Sequence, residues 1–138
     1  MEKAFREFWD ALLLERKKCP WKSTVDVKHQ ANELLKEAQE FKEAIEAGDM
    51  EHASDELGDI LWDALSAAIV AEECGDFTLK ESLERGLAKL KRRKPYLFEG
   101  KEVSQDEAWK IWEDVKKKEK NGEINWRSVG KKTNDKVL

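Results

Sequence analysis

Two pairs of acids, Glu37-Ala-Gln-Glu40 and Glu56-Leu-Gly-Asp59, have the spacing of a carboxylate centre. Three positions separate the acids of each pair, so on a helix both project from one face, one turn apart. Two such pairs on neighbouring antiparallel helices can place four carboxylates around one point. Left alone, that cluster repels itself, and each anion taken out of water carries a large desolvation cost. A divalent cation among them removes the difficulty. All-oxygen donors suit Mg²⁺, with Mn²⁺ as the alternative. Asp59 and Asp63 also stand at the head of the most apolar stretch, Ile60 to Ala71, where only Asp63 and Ser66 are polar. A charge buried there needs compensation. A solvated helix face explains Glu-x-x-Glu equally well, and Glu33, Glu43 and Glu46 are read that way, so spacing alone leaves both readings open.

Other metals fit less well. Two cysteines and two histidines lack the spacing of a zinc site. Asp26-Val-Lys-His29 and Asp49-Met-Glu-His52 stand where helices begin, and are read as capping and surface residues, not as the Glu-x-x-His pairs of a di-iron bundle.

Helices must position these acids, and the pattern predicts five. The first covers about residues 2–18, with Phe5, Phe8, Trp9, Leu12 and Leu13 at helical spacing, and Cys19-Pro20 ends it. The second covers about 25–47. Its apolar face is read as Val27, Ala31, Leu34, Ala38, Phe41 and Ile45, and Gly48-Asp49 stops it. The third covers about 50–74 and is apolar on nearly all sides, which predicts burial against its own chain and a second subunit. Gly58 inside it costs roughly 1 kcal/mol relative to Ala, which a close helix approach or room for a ligand would offset. The fourth opens with the capping-box pattern Thr78-Leu-Lys-Glu81, and Pro95 ends it. The fifth opens with a second such pattern, Ser104-Gln-Asp-Glu107, and runs to about Lys120. The fold expected is an all-α bundle of four to five helices, as one domain over 1–120, with a mobile tail over 121–138.

Composition agrees. The chain has 138 residues, 41% of them charged and 40% hydrophobic, with 7 Gly and 2 Pro. This excludes collagen-like, low-complexity and disulfide-scaffold classes. No apolar run reaches the roughly 20 residues of a membrane span. The acidic opening, with Glu2, Glu7, Asp10 and Glu15, is not read as a signal peptide. The two cysteines suit a reducing compartment, so a cytoplasmic setting is expected. The net charge of -4 conceals an asymmetry. Residues 1–88 hold 21 acidic and 11 basic side chains, and residues 89–138 hold 9 acidic and 15 basic. Segregated solvated faces, or an acidic metal site with a basic phosphate site, would both produce it.

The segments LLKEAQEFKEAI and DELGDILWDAL resemble the MazG family of nucleoside triphosphate pyrophosphohydrolases, which carries Glu-x-x-Glu and Glu-x-x-Asp on successive helices. Cys19-Pro20-Trp21 is similar to the family's CPW, Lys89 to Phe98 to its KLxRRHPHVF, and Trp112 to Lys116 to its W-E-x-I-K. The resemblance spans about residues 5–120. It implies an all-α fold acting as a dimer or a dimer of dimers. It also implies Mg²⁺-dependent hydrolysis of a nucleoside triphosphate, ribo or deoxy, to monophosphate and pyrophosphate, which would serve to cleanse a nucleotide pool. By the same resemblance Glu37, Glu40, Glu56 and Asp59 would hold metal. Lys89 and Arg93 would hold phosphates, with Trp112 and Lys116 assisting, and Trp21 would stand on the base side. Glu37 is the expected general base, with Lys89, Arg93 and Lys116 neutralising the leaving pyrophosphate.

The chain departs from the family at Lys36, where a second Glu is common. Lys94 and Tyr96 replace two histidines, and Lys22, Val25 and Asp26 replace the Asp and the Gln-Thr that follow CPW. These changes touch the base side more than the metal chemistry. A dUTP- or dCTP-specific all-α pyrophosphohydrolase shares the carboxylate motifs and is the nearest rival. A helical nucleic-acid-binding module would use the basic C-terminal part, but its basic run is short in an acidic chain. A silent dimeric scaffold would gain stability by losing the carboxylates.

Overall fold

The computed structural model describes residues 1–128. Among them are six α-helices and no strand: α1 (Glu2–Lys18), α2 (Val27–Ala47), α3 (Met50–Glu73), α4 (Leu79–Arg93), α5 (Tyr96–Glu99) and α6 (Gln105–Lys120). Short 3-10 turns occupy Lys22–Thr24 and Trp126–Ser128. None of these helices is long and apolar enough to cross a membrane. The chain forms two compact units, Met1–Leu79 and Lys80–Leu138. Of the expected tail, 129–138 lie outside the described residues, and 121–128 form a turn followed by the second 3-10 segment. The helix not anticipated is α5, a single turn after Pro95, too short to show periodicity.

In the first unit, α2 begins two positions later than the periodicity suggests because Asp26 is its cap. The Asp26 carboxylate accepts the His29 backbone N–H at 2.7 Å. Asp49 caps α3 in the same way, accepting from His52 at 3.0 Å. Both acids therefore satisfy orphan helix donors, as their positions predicted. Gly48, at φ +74°, closes α2 in the left-handed region that favours glycine. The link from α2 to α3 is so short that they form an antiparallel hairpin, the most extensive helix pair of the chain.

The packed face of α2 is rotated from the one expected. Ala31, Ala38 and Ile45 are exposed, while Gln30 and Ala44 are buried and Glu33, Leu34, Glu37 and Phe41 are half-buried. This rotation brings Glu37 onto the α2 face that packs. Burial of α3 against its own chain is concentrated in its C-terminal half. Leu65, Ser66 and Ala68 to Ala71 are buried, and Leu65 and Ile69 join Leu12 in a core flanked by Phe8, Trp9 and Leu79. Earlier in α3, Leu57, Leu61 and Trp62 are exposed. A Cβ added at Gly58 would meet nothing within 4 Å, so no close helix approach explains that glycine among the described residues.

The second unit carries an exposed leucine row on α4 (Leu83, Leu87 and Leu90) and the Ser104–Glu107 capping box at the head of α6. Its buried carboxylate, Glu119, is gripped by two arginines of α4. Arg92 Nε donates to Oε1, and Arg93 Nη2 donates to Oε2 at 2.7 Å.

Candidate active site

The α2–α3 hairpin brings three of the four expected metal ligands together. Carboxylate oxygens of Glu37, Glu56 and Asp59 all lie within 4.8 Å of one another. Glu56 is buried, Glu37 half-buried and Asp59 exposed, so Asp59 stands at the mouth of the cluster and not within the apolar part of α3. Glu56 Oε1 is 2.7 Å from His52 Nε2, one turn earlier. Its Oε2 is buried with no hydrogen-bond partner. A carboxylate oxygen sealed from water and left unpaired is costly, and a cation satisfies it. The residues therefore fit a hard divalent metal: clustered oxygens, no soft donor, and one orphaned lone pair.

Electrostatics mark the same place. The Glu37 carboxyl is raised above its ordinary value by loss of water, then by the charge of Glu40, by sharing a hydrogen bond with Glu56, and by Asp59. Glu40 is exposed and outside the three-carboxylate group, although its charge reaches Glu37.

Asp63 does not join the cluster. It is buried and belongs to a different constellation, in which Gln30 Nε2 donates to Asp63 Oδ1 at 3.2 Å and Lys22 Nζ lies 3.7 Å from the same oxygen. Burial raises its carboxyl, against the opposing pull of Lys22 and Gln30. Trp21 lies beside this group. It is 59% exposed, meets His29 edge-on at 6.1 Å, and has Lys22 Nζ 5.0 Å from its ring centre.

The basic residues lie in the second unit. Lys89 is exposed on α4. Arg93 is partly committed: Glu119 takes its Nε and Nη2, and its guanidinium sits 5.8 Å from the Trp112 ring. The Glu119 carboxyl is held below its ordinary range, first by its hydrogen bond from Arg93 and then by Arg92. Lys116 Nζ lies 4.1 Å from the Trp112 ring centre and 3.5 Å from Glu113. Trp112 tilts against Trp109 at 5.2 Å. Arg93, Lys116, Lys120, Trp126 and Arg127 line an open pocket of about 740 Å³. Its four cations against one committed carboxylate suit an anion.

Sequence reasoning read His52 only as a capping and surface residue, without its contact to Glu56, and passed over Gln30 and Glu119. The latter two carried a visible signal. Gln30 interrupts the apolar positions between Val27 and Leu34, and Glu119 continues the row of Trp112 and Val115. A polar residue on a packed face calls for a partner on another element.

Residues 26–98 match the MazG nucleotide pyrophosphohydrolase domain. The chain is 34% identical over 104 residues to the uncharacterized protein YabN of Bacillus subtilis, covering 75% of this chain and 21% of that protein. It is 35% identical over 99 residues to the nucleoside triphosphate pyrophosphohydrolase/pyrophosphatase MazG of Thermotoga maritima, covering 67% and 38%. It is 30% identical over 103 residues to the nucleoside triphosphate pyrophosphohydrolase of Escherichia coli K12, covering 74% and 39%. The chain thus spans between about a fifth and two fifths of these curated relatives. Among solved structures, a mazG-related protein from Thermotoga maritima is similar with a TM-score of 0.75 and 30% identity, over 81% of this chain and 98% of that one.

Proposed function

The chain belongs to the MazG nucleotide pyrophosphohydrolase family, and from that premise we propose that it hydrolyses nucleoside triphosphates, ribo or deoxy, to monophosphate and pyrophosphate with Mg²⁺. The observation that carries the proposal is the convergence of Glu37, Glu56 and Asp59 around an oxygen of Glu56 that is buried and unpartnered. These three would hold the metal, with Mn²⁺ as an alternative occupant, and Glu40, expected from the motif as a fourth ligand, would support them from its exposed position outside the group. When bound, the metal supplies charge that polarises phosphoryl oxygens and lowers the pKa of water.

The residues do the rest. Glu37, which stands in the three-carboxylate group, is the residue we assign to accept the proton of the attacking water. Lys89, Lys116 and the Nη1 side of Arg93 are the proposed phosphate ligands, and Trp112 holds the Lys116 ammonium by its ring face. Trp21 is the proposed wall for the nucleobase. We further propose that the exposed Leu57, Leu61 and Trp62 of α3 are covered in a homodimer or homotetramer, and that the protein works in the cytoplasm, where it cleanses the nucleotide pool.

A panel of ribo- and deoxynucleoside triphosphates with Mg²⁺, products separated, tests the reading. Monophosphate plus pyrophosphate supports it, and diphosphate plus orthophosphate overturns it. Turnover confined to dUTP or dCTP would move the assignment to the more specific rival.

A further inference from the structure

The loop between α1 and α2 is anchored from two directions. From α1, Arg16 Nη1 donates to the carbonyls of Lys22 at 2.6 Å and Val25 at 2.9 Å. Glu73 at the end of α3 holds the same guanidinium at 2.9 and 2.7 Å. From the hairpin, Lys22 Nζ donates to Gln30 Oε1 at 3.3 Å and pairs with Asp63 at 3.7 Å, while Gln30 also donates to Asp63. Gln30 is fully buried, and the side chains of Lys22 and Asp63 are only 11% and 9% exposed.

Apolar residues at both positions 22 and 63 would fill this space without the desolvation cost of a buried ion pair, so loop attachment alone does not call for an ammonium and its carboxylate. The ammonium has a second neighbour: its Nζ lies 5.0 Å from the Trp21 ring centre, within cation–π range. Trp21 is mostly exposed and needs something beneath it to fix its ring. Placement adds to this. Gln30 stands seven residues before Glu37, about 10 Å along α2, and Asp63 four after Asp59, about 6 Å along α3, so the group lies one to two helical turns beyond the carboxylate cluster, with Gln30 at its far end. That is the reach from the phosphate chain of a nucleotide to its base.

We propose that Lys22 is a positioning residue for substrate: Gln30 and Asp63 hold its ammonium from below, and the ammonium holds the Trp21 ring in place as a wall for the nucleobase. This rests on the assignment of Trp21 to the base side.

The test is steady-state kinetics with Mg²⁺ and a turned-over nucleoside triphosphate, together with hydrogen exchange at residues 19–25 and thermal melting. Lys22→Met is expected to raise KM about fivefold with kcat within about twofold, and to speed exchange in the loop. Asp63→Asn, which keeps the shape and frees the ammonium, should act in the same direction. Trp21→Ala should raise KM similarly, and the double variant with Lys22→Met should add little, since both remove one device. The swap Lys22→Asp with Asp63→Lys restores the ion pair but puts a carboxylate under the indole. It should recover thermal stability while KM stays raised. Recovery of KM in the swap, or a wild-type KM in both Lys22→Met and Asp63→Asn beside a raised one in Trp21→Ala, overturns the proposal. A wild-type KM in Trp21→Ala overturns the base-wall assignment itself, and the proposal with it.

Discussion

Glu37 on α2 faces Glu56 on α3 across the helical hairpin, their carboxylate oxygens within 4.8 Å and both withdrawn from bulk water. The Glu37 carboxyl is raised there, first by loss of water and then by the charge of Glu40, with Glu56 and Asp59 adding to it. In metal-free protein, Glu37→Gln should therefore raise stability at neutral pH, because it removes a charge that burial and its neighbours disfavour. The same change should abolish the rise in Tm that Mg²⁺ gives the wild type, which at a hundredfold excess over Kd is worth about 2.7 kcal/mol. Melting curves with and without Mg²⁺ read both effects. An unchanged Mg²⁺ response in Glu37→Gln removes it from the ligand set.

Geometry ranks the remaining acids. Asp59 belongs to the three-carboxylate group and Glu40 stands outside it. Asp59→Asn should lower kcat about a thousandfold, the scale of a lost charge-stabilising group. Glu40→Gln should cost about tenfold, as outer-shell partners do. Pyrophosphate release, with circular dichroism to confirm helix content, decides between them, and the reverse order would move Glu40 inside the cluster.

Glu119 anchors the second unit. Its carboxyl is held below the ordinary glutamate value of 4.5 by Arg93 and Arg92, so the folded form favours the anion. The stability this contributes is present above pH 4.5 and is lost as pH falls through the lower, folded pKa. Urea unfolding through the acid range should show a steeper decline in wild type than in Glu119→Gln. At pH 7, Glu119→Ala should cost about 3 kcal/mol by stranding two partly buried guanidinium groups. A loss below about 0.5 kcal/mol, the scale of a surface pair, would contradict the buried linkage.

Gly58 sits inside α3 with open space where a Cβ would go. Gly58→Ala should stabilise a dilute sample by about 1 kcal/mol through helix propensity alone. Loss of stability, or dissociation seen by sedimentation, would instead place a partner surface against that backbone.

How much of this could be read beforehand depends on the kind of signal. Helix ends were legible because caps are local: Asp26, Asp49, Gly48 and Ser104 each act within one turn. Three-residue spacing made Glu56 and Asp59 legible as neighbours on one face, but it did not foresee that Glu40 stands outside the group that Glu37 joins. The angular setting of α2 was not, since alanines at 31 and 38 count as apolar in a periodicity yet turn to solvent, while Gln30 turns inward. Asp63 was rightly placed in a buried setting, but its partners stand on a loop and another helix, Lys22 41 positions away and Gln30 33. Arg93 was legible as a cation, but its commitment to Glu119, 26 positions on, was not.

The short link at Gly48-Asp49 has a kinetic side. Every ligand in the three-carboxylate group comes from one hairpin closed by neighbouring residues, so its contacts are of low sequence separation and are expected to form early in folding. The acids are therefore forced together before most of the chain has settled. A divalent cation present at that stage relieves their repulsion in the nascent hairpin, so its concentration should set how fast the protein refolds as well as how fast it turns over.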